Sequence, residues 1–220
     1  PRGKQSGSRR KPKEKFGENL ERVIESALPV LLKRPIDPNL LSVGGAVVCC
    51  ASAVALGMGE FFLGSILLGV GGLFDLVDGV VARHFDVVTR FGAFLDSTLD
   101  RLVDMVVLLA LVIHFGLADN VTMASVSGFV LVASVLTSYT KARAEAMGIA
   151  LPGGFVERGE RIFLLAAGGL FGLMEPTLWV LAVGSLATVV QRFEAARRGL
   201  ERKVEHADEE SGRGEWLHEK

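Results

Sequence analysis

Six apolar segments, roughly 39–59, 61–82, 94–116, 121–141, 157–175 and 177–192, leave the chain little room to be anything but a bundle of membrane helices. Their separators are short and turn-like: Gly57–Gly59, Phe85–Gly92, Gly116–Asn120, Gly148–Gly154 and Glu175–Pro176. Half of the residues are hydrophobic and 26 are glycine, a composition suited to helices packed closely in lipid rather than to one soluble core. The expected fold class is therefore an all-α integral membrane protein with six transmembrane helices.

Charge placement orients them. Lys and Arg fall in the amino-terminal arm, the second-to-third and fourth-to-fifth connections, the carboxy-terminal tail and the helix ends beside these. The other three connections hold only Glu60, His114, Asp119 and Glu175 among ionisable residues. By the positive-inside rule both termini lie in the cytoplasm and the host is the cell (inner) membrane. Residues 1–15 are polar and basic, read as a disordered tail without the apolar core of a secretory signal. Residues 16–34 place Phe16, Leu20, Val23, Ala27 and Leu31 opposite Glu18, Glu21 and Glu25, the pattern of an amphipathic helix lying in the interface. The six-helix domain then runs over 35–195, and 196–220 is a polar cytoplasmic tail. Cys49 and Cys50 are adjacent in an apolar run and read as packing residues. The four histidines lack ligand-like spacing.

A helix needs about 20 residues to cross a ~30 Å hydrocarbon core, yet several segments are charge-free over less. The second is so only over Phe61–Phe74, the third over Met105–Ala118, the fifth over Ile162–Met174 and the sixth over Thr177–Val190. The missing turns lie on the cytoplasmic side and carry Asp75, Asp78, Asp96, Asp100, Asp104, Arg158, Arg161 and Arg192. Charges at that depth require a polar cavity between helices, open to the cytoplasm.

Asp75 and Asp78, and Asp96 and Asp100, share single helix faces by their spacings of three and four. Four carboxylates meeting across one hairpin demand compensating cations, and oxygen-only ligands point to Mg²⁺ or Mn²⁺, with room for two ions. Gly79, Ala82 and Gly92 leave space beside that face, and Arg83 offers a fork for phosphate. The competing reading is a static network of the aspartates with Arg83, Arg90 and Arg101.

The run Asp75-x2-Asp78-Gly79-x2-Ala82-Arg83-x8-Gly92-x3-Asp96-x3-Asp100 matches every specified position of the signature of the CDP-alcohol phosphotransferases, and the chain resembles that family over roughly 35–195. The resemblance implies that Asp75, Asp78 and Asp96 bind metal and that Asp100 both assists the metal site and acts as general base. It also implies that Gly79, Ala82, Arg83 and Gly92 face the CDP moiety. Pro38-Asn39-Leu40-Leu41-Ser42 is similar to the family's opening stretch at the first span. The expected partners are a CDP-linked lipid, a phosphorylated polar alcohol and membrane lipids, with no nucleic acid, and the enzyme is expected to be a homodimer.

Ser138, Lys141, Arg143, Arg158, Arg161 and Arg192 gather cations near the same cytoplasmic edge, as an acceptor carrying phosphate requires. The Lys141-Ala-Arg143, Glu157-Arg158-x-Glu160-Arg161 and Val190-Gln191-Arg192 runs resemble the branch that makes phosphatidylinositol phosphate. That resemblance implies that Ser138, Lys141, Arg161 and Arg192 hold the acceptor phosphate. Glycerol 3-phosphate is the alternative acceptor, and a six-helix ion transporter the distant alternative function. Asp104 stands outside the signature and is expected to pair with a neighbouring Arg.

Overall fold

Each connection in the chain ends or starts a helix for an identifiable local reason. In the computed structural model, which describes the backbone of residues 38–84 and 89–217 and side chains at 38–78 and 89–203, six helices and no strand are found among the described residues. We name them α1 (Pro38–Gly57), α2 (Phe61–His84), α3 (Arg90–Leu117), α4 (Val121–Ala146), α5 (Arg158–Leu170) and α6 (Met174–Leu217). Thr89 caps α3 by accepting from Gly92 N at 2.9 Å, and Asn120 caps α4 by accepting from Met123 N at 3.1 Å. Glu157 and Glu160 form a reciprocal capping box at the start of α5. Gly59, Gly148 and Gly172 follow α1, α4 and α5 with positive φ, where a side chain would be strained. The expected interfacial helix over 16–34 and the tail over 1–15 lie outside the described residues.

The breaks differ from expectation at the end of the chain. Gly172, with φ of 68°, makes the turn between α5 and α6, whereas Glu175 and Pro176 lie in the first turn of α6. Proline is at home there because its missing N–H would have no helical partner anyway. The polar tail from 196 onward is not a separate irregular segment as far as Leu217, because α6 continues through it without a break.

Helices pack extensively in the pairs α1·α2, α2·α5, α5·α6, α6·α4, α4·α3 and α3·α1, which closes a ring. Leu56, Leu68, Val107, Leu111, Leu165 and Leu181 fill its apolar part. His114 belongs to that packing, edge-on to Phe61 at 4.8 Å between ring centroids. Four helices, α1, the Phe61–Asp78 part of α2, α4 and the Met174–Lys203 part of α6, are long and apolar enough to cross a membrane. Only 28–39% of those apolar stretches is buried inside the protein, so most of their side chains face outward, as a lipid-embedded chain requires. The other two are limited by charge or length: α3 carries Asp96, Asp100, Arg101 and Asp104 within its first fifteen residues, and α5 has only 13 residues.

Candidate active site

Glycine pairing brings the first acidic group into place. A Cβ on Gly71 would meet Gly45 O at 3.1 Å and Cys49 N at 3.3 Å, and one on Gly45 would meet Phe74 Cβ at 2.8 Å. The backbones of α1 and α2 therefore touch one turn before Asp75, and this approach carries Ser42 to Asp78. Ser42 Oγ donates to Asp78 Oδ2 at 2.5 Å, the length of a hydroxyl bonded to an anion. Asp78 is buried, with 5% of its surface exposed, and Asp75 and Asp96 are half-buried beside it. Carboxylate oxygens of Asp75, Asp78 and Asp96 all lie within 4.8 Å of one another, a spacing one divalent ion can bridge. Gly92 sits where α3 meets the start of α1, since a Cβ there would lie 3.0 Å from Asn39 Oδ1. Gly79, Ala82 and Arg83 lie on the last turns of α2, where side chains fall outside the described residues.

Asp100 faces a different partner. Arg158, the first residue of α5, reaches Asp75 Oδ2 with Nη1 at 2.5 Å and Asp100 Oδ1 with Nη2 at 3.0 Å. The described ion pairs of the acidic cluster thus run to α5 and not to Arg90 or Arg101; Arg101 turns back to the Ser97 carbonyl of its own helix. Arg158 borders both the small acidic pocket that includes Ser42, Asp75, Asp96 and Asp100 and a larger cavity on its other side.

That cavity, of about 300 Å³, is enclosed by α3, α4, α5 and α6. Ser138, Lys141, Arg158, Arg161 and Arg192 line it, together with Arg101, Asp100, Asp104 and Glu157. Arg192 Nη1 donates to the Thr137 carbonyl at 2.6 Å, and its Nη2 stands 3.5 Å from Glu157 Oε1. Arg161 is ion-paired with Asp104, both nearly inaccessible. The Nε atoms of Arg158, Arg161 and Arg192 are buried without a hydrogen-bond partner among the described residues. A buried donor left unpaired costs about 1–3 kcal/mol, so these three guanidinium groups form a cationic wall whose hydrogen bonding is incomplete among the described residues.

One expected member is elsewhere. Arg143 lines a separate apolar groove between α4 and α6 with Tyr139, Val190 and Phe193. The helical period accounts for this, because two residues past Lys141 are turned by about 200°.

The site also contains residues outside the acidic signature and the expected acceptor set. Glu157 accepts from Gly154 N at 3.0 Å, and Val156 N donates to Thr188 Oγ1 at 3.0 Å, so the non-helical backbone before α5 is tied to α5 and α6 by side chains. The sequence signal for Glu157 is its capping-box spacing with Glu160 ahead of an apolar run. Asp104 carries a signal too, one turn beyond Asp100 on the same face.

Comparison with known proteins agrees with this geometry. A family model described as CDP-alcohol phosphatidyltransferase matches residues 36–191. A phosphatidylinositol phosphate synthase of Streptomyces avermitilis is 38% identical over 192 residues, covering 80% of this chain and 79% of its own. An archaetidylinositol phosphate synthase of Methanothermobacter thermautotrophicus is 34% identical over 188 residues, covering 79% of this chain and 93% of its own. The crystal structure of Mycobacterium tuberculosis phosphatidylinositol phosphate synthase with CDP-DAG bound superposes with a TM-score of 0.72 at 32% identity, covering 80% of this chain and 94% of that one. A second crystal structure of that protein, in complex with manganese and citrate, gives the same TM-score of 0.72 at 33% identity, covering 79% of this chain and 88% of that one.

Proposed function

Because this chain belongs to the CDP-alcohol phosphatidyltransferase family and is a membrane transferase, we propose that it moves the phosphatidyl-type group of a CDP-linked lipid onto inositol phosphate, releasing CMP. The observation that carries the acceptor assignment is the cavity that Lys141, Arg158, Arg161 and Arg192 line together with Asp100. The names of the Streptomyces and Mycobacterium relatives support the same acceptor, and the CDP-DAG of the Mycobacterium structure supports the donor class.

Asp75, Asp78, Asp96 and Asp100 hold the metal in this reading. The clustered, oxygen-only donors of the first three fit Mg²⁺ or Mn²⁺, and the manganese complex of the Mycobacterium relative supports the fit. When bound, a pair of such ions supplies charge neutralisation at the diphosphate and at departing CMP. The chain's own groups do the rest. Gly79, Ala82, Arg83 and Gly92 receive the CDP moiety. Ser138, Lys141, Arg161 and Arg192 bind the acceptor phosphate and thereby present an acceptor hydroxyl to Asp100. Asp100 takes the hydroxyl proton while the oxygen bonds to the lipid-side phosphorus and the bond from that phosphorus to CMP breaks. Arg158, already on Asp100, orients that carboxylate and contributes a fork on the side of the incoming phosphate.

All six helices span the membrane in this reading, with both termini in the cytoplasm of the cell membrane and two copies forming a homodimer. The donor then enters sideways from the inner leaflet, keeping its acyl chains in hydrocarbon. The test is purified protein with CDP-diacylglycerol and Mg²⁺, offered inositol phosphate, glycerol 3-phosphate, serine and free inositol in parallel, with CMP release as readout. Inositol phosphate is expected to be preferred. Preference for glycerol 3-phosphate rejects the inositol assignment and keeps the anion cavity, whereas preference for serine or free inositol rejects both.

A further inference from the structure

The cavity carries a charge surplus that matches its ligand. Five cations, Arg101, Lys141, Arg158, Arg161 and Arg192, face three carboxylates, Asp100, Asp104 and Glu157, leaving two positive charges. A phosphate monoester carries about −1.5 to −2 near neutral pH. Each of the three α5 and α6 guanidinium groups also has a carboxylate partner lining the cavity: Arg158 has Asp100 in addition to Asp75, Arg161 has Asp104 and Arg192 stands near Glu157. Asp100 lies in the signature, and Glu157 is occupied in capping α5. Asp104 has neither duty.

Its surroundings give it one. The Asp104 side chain is 6% exposed and that of Arg161 3%. Asp104 Oδ2 takes both the Arg161 Nη2 contact and a hydrogen bond from Ser134 Oγ at 3.2 Å. Asp104 Oδ1 and Arg161 Nε have no hydrogen-bond partner among the described residues. A buried pair kept only for stability is often replaceable by apolar residues of similar volume at no loss, and an incompletely satisfied pair on a cavity wall is a poor stabiliser. It is a good way to hold a guanidinium still. Gripping Arg161 at Nη2 fixes the plane of its fork at the cavity wall and, with Nε buried, leaves Nη1 as the donor for a phosphate.

We propose that Asp104 is a positioning residue for acceptor recognition, fixing Arg161 at the cavity wall so that its fork meets the acceptor's phosphate. This rests on the phosphorylated-acceptor reading above. It makes a prediction opposite in sign to charge counting. Neutralising a carboxylate beside an anion site should tighten anion binding if charge alone matters; if Asp104 aims Arg161, its removal weakens binding despite the added net positive charge.

The experiment uses the full-length protein in membrane mimic, with CMP release measured at varied inositol phosphate and, separately, at varied CDP-diacylglycerol. Asp104→Asn is expected to raise the acceptor KM about tenfold to a hundredfold, the cost of a misplaced binding group, with kcat and the donor KM nearly unchanged. Arg161→Gln combined with Asp104→Asn should bind acceptor no worse than Arg161→Gln alone, because Asp104 acts through Arg161. Asp104→Glu should recover part of the loss, and Ser134→Ala, which removes only the hydroxyl bonded to Asp104, should shift the acceptor KM in the same direction by less. If Asp104→Asn does not fold, Ser134→Ala and Asp104→Glu carry the comparison. An unchanged or lowered acceptor KM, equal losses toward both substrates, or additive losses in the double variant would overturn the proposal. Wild-type preference for a neutral alcohol would overturn the underlying reading and this inference together. A wild-type enzyme that uses inositol phosphate alongside an unshifted Asp104→Asn overturns this inference alone.

Discussion

Replacing Ser42 by Ala removes one hydroxyl outside the acidic signature, yet it should change how the enzyme holds metal. Ser42 Oγ lies 2.5 Å from Asp78 Oδ2, and Asp78 has little other access to solvent. A hydrogen bond to an ionised group contributes about 1.5–3 kcal/mol, equivalent to roughly ten- to 150-fold in an equilibrium constant. Loss of an outer partner of a metal ligand typically costs about ten- to a hundredfold in metal affinity or activity. The two figures agree on the scale. Ser42 Oγ is also 3.1 Å from the Pro38 carbonyl, so the hydroxyl has a second acceptor and the lower end of the range is expected. Titrating Mn²⁺ into purified protein and counting free ion by electron paramagnetic resonance measures the affinity without turnover. The rate against Mg²⁺ concentration should shift in parallel, with kcat recovering at saturating metal and the acceptor KM unmoved. Ser42→Thr, which keeps the hydroxyl, should remain close to wild type. An Mn²⁺ affinity unchanged in Ser42→Ala would refute the reasoning, because it would mean that the serine neither orients nor charges Asp78 in the metal-binding form.

Other predictions follow from the same geometry. Asp78→Asn or Asp96→Asn should abolish CMP release while the protein remains folded in the membrane, and substantial wild-type turnover in EDTA would contradict the metal assignment. Gly71→Ala places a methyl against the Gly45 carbonyl and Cys49 N of α1, so stability should fall by about 1–3 kcal/mol, the usual cost of overpacking. Its metal affinity should fall with it, which thermal unfolding and the Mn²⁺ titration read separately. Engineered cysteines in 149–154 should label from the cytoplasm and those in 117–120 only from outside, and the reverse pattern would overturn the orientation.

The apolar segments announced the helices because lipid imposes a simple requirement: long runs without charge, closed by glycine and capped by Thr, Asn or Glu. The acidic cluster was legible for a similar reason, since Asp75, Asp78 and Asp96 are brought together by helical period across a single hairpin. Pairings across distant helices were not. Arg158 meets Asp75 across 83 residues and Arg161 meets Asp104 across 57, separations at which spacing carries no information and only the closure of the helix ring, with α5 packed on α2 and α6, decides. Arg143 lies apart from Lys141 because a cluster of cations in sequence says nothing about azimuth until the helix register is applied. The α5–α6 break falls at Gly172 rather than at Glu175–Pro176, because proline in the first turn of a helix costs nothing. Ser42 was visible only through its neighbourhood, since a serine near a span is ordinary until the Gly45 and Gly71 contact draws it onto Asp78.

The brevity of α5 has a consequence for the bilayer around it. Thirteen residues rise about 20 Å, against a hydrocarbon core of ~30 Å. Across the ring, α1, with 20 residues, rises the full ~30 Å. The bundle is thus uneven in height, and its low side is the one that carries Arg158 and Arg161. If α5 crosses the bilayer as proposed above, lipid packed against that side has to compress or tilt to follow the protein, at a cost of fractions of a kcal/mol per Å of mismatch. A thin host membrane meets this demand almost for free and a thick one does not, so the acyl-chain length of the surrounding lipid becomes a determinant of turnover. In that arrangement the local thinning would lower the headgroup plane toward the acidic cluster, and a CDP-linked lipid arriving there would bring its diphosphate near the depth of Asp75 and Asp100.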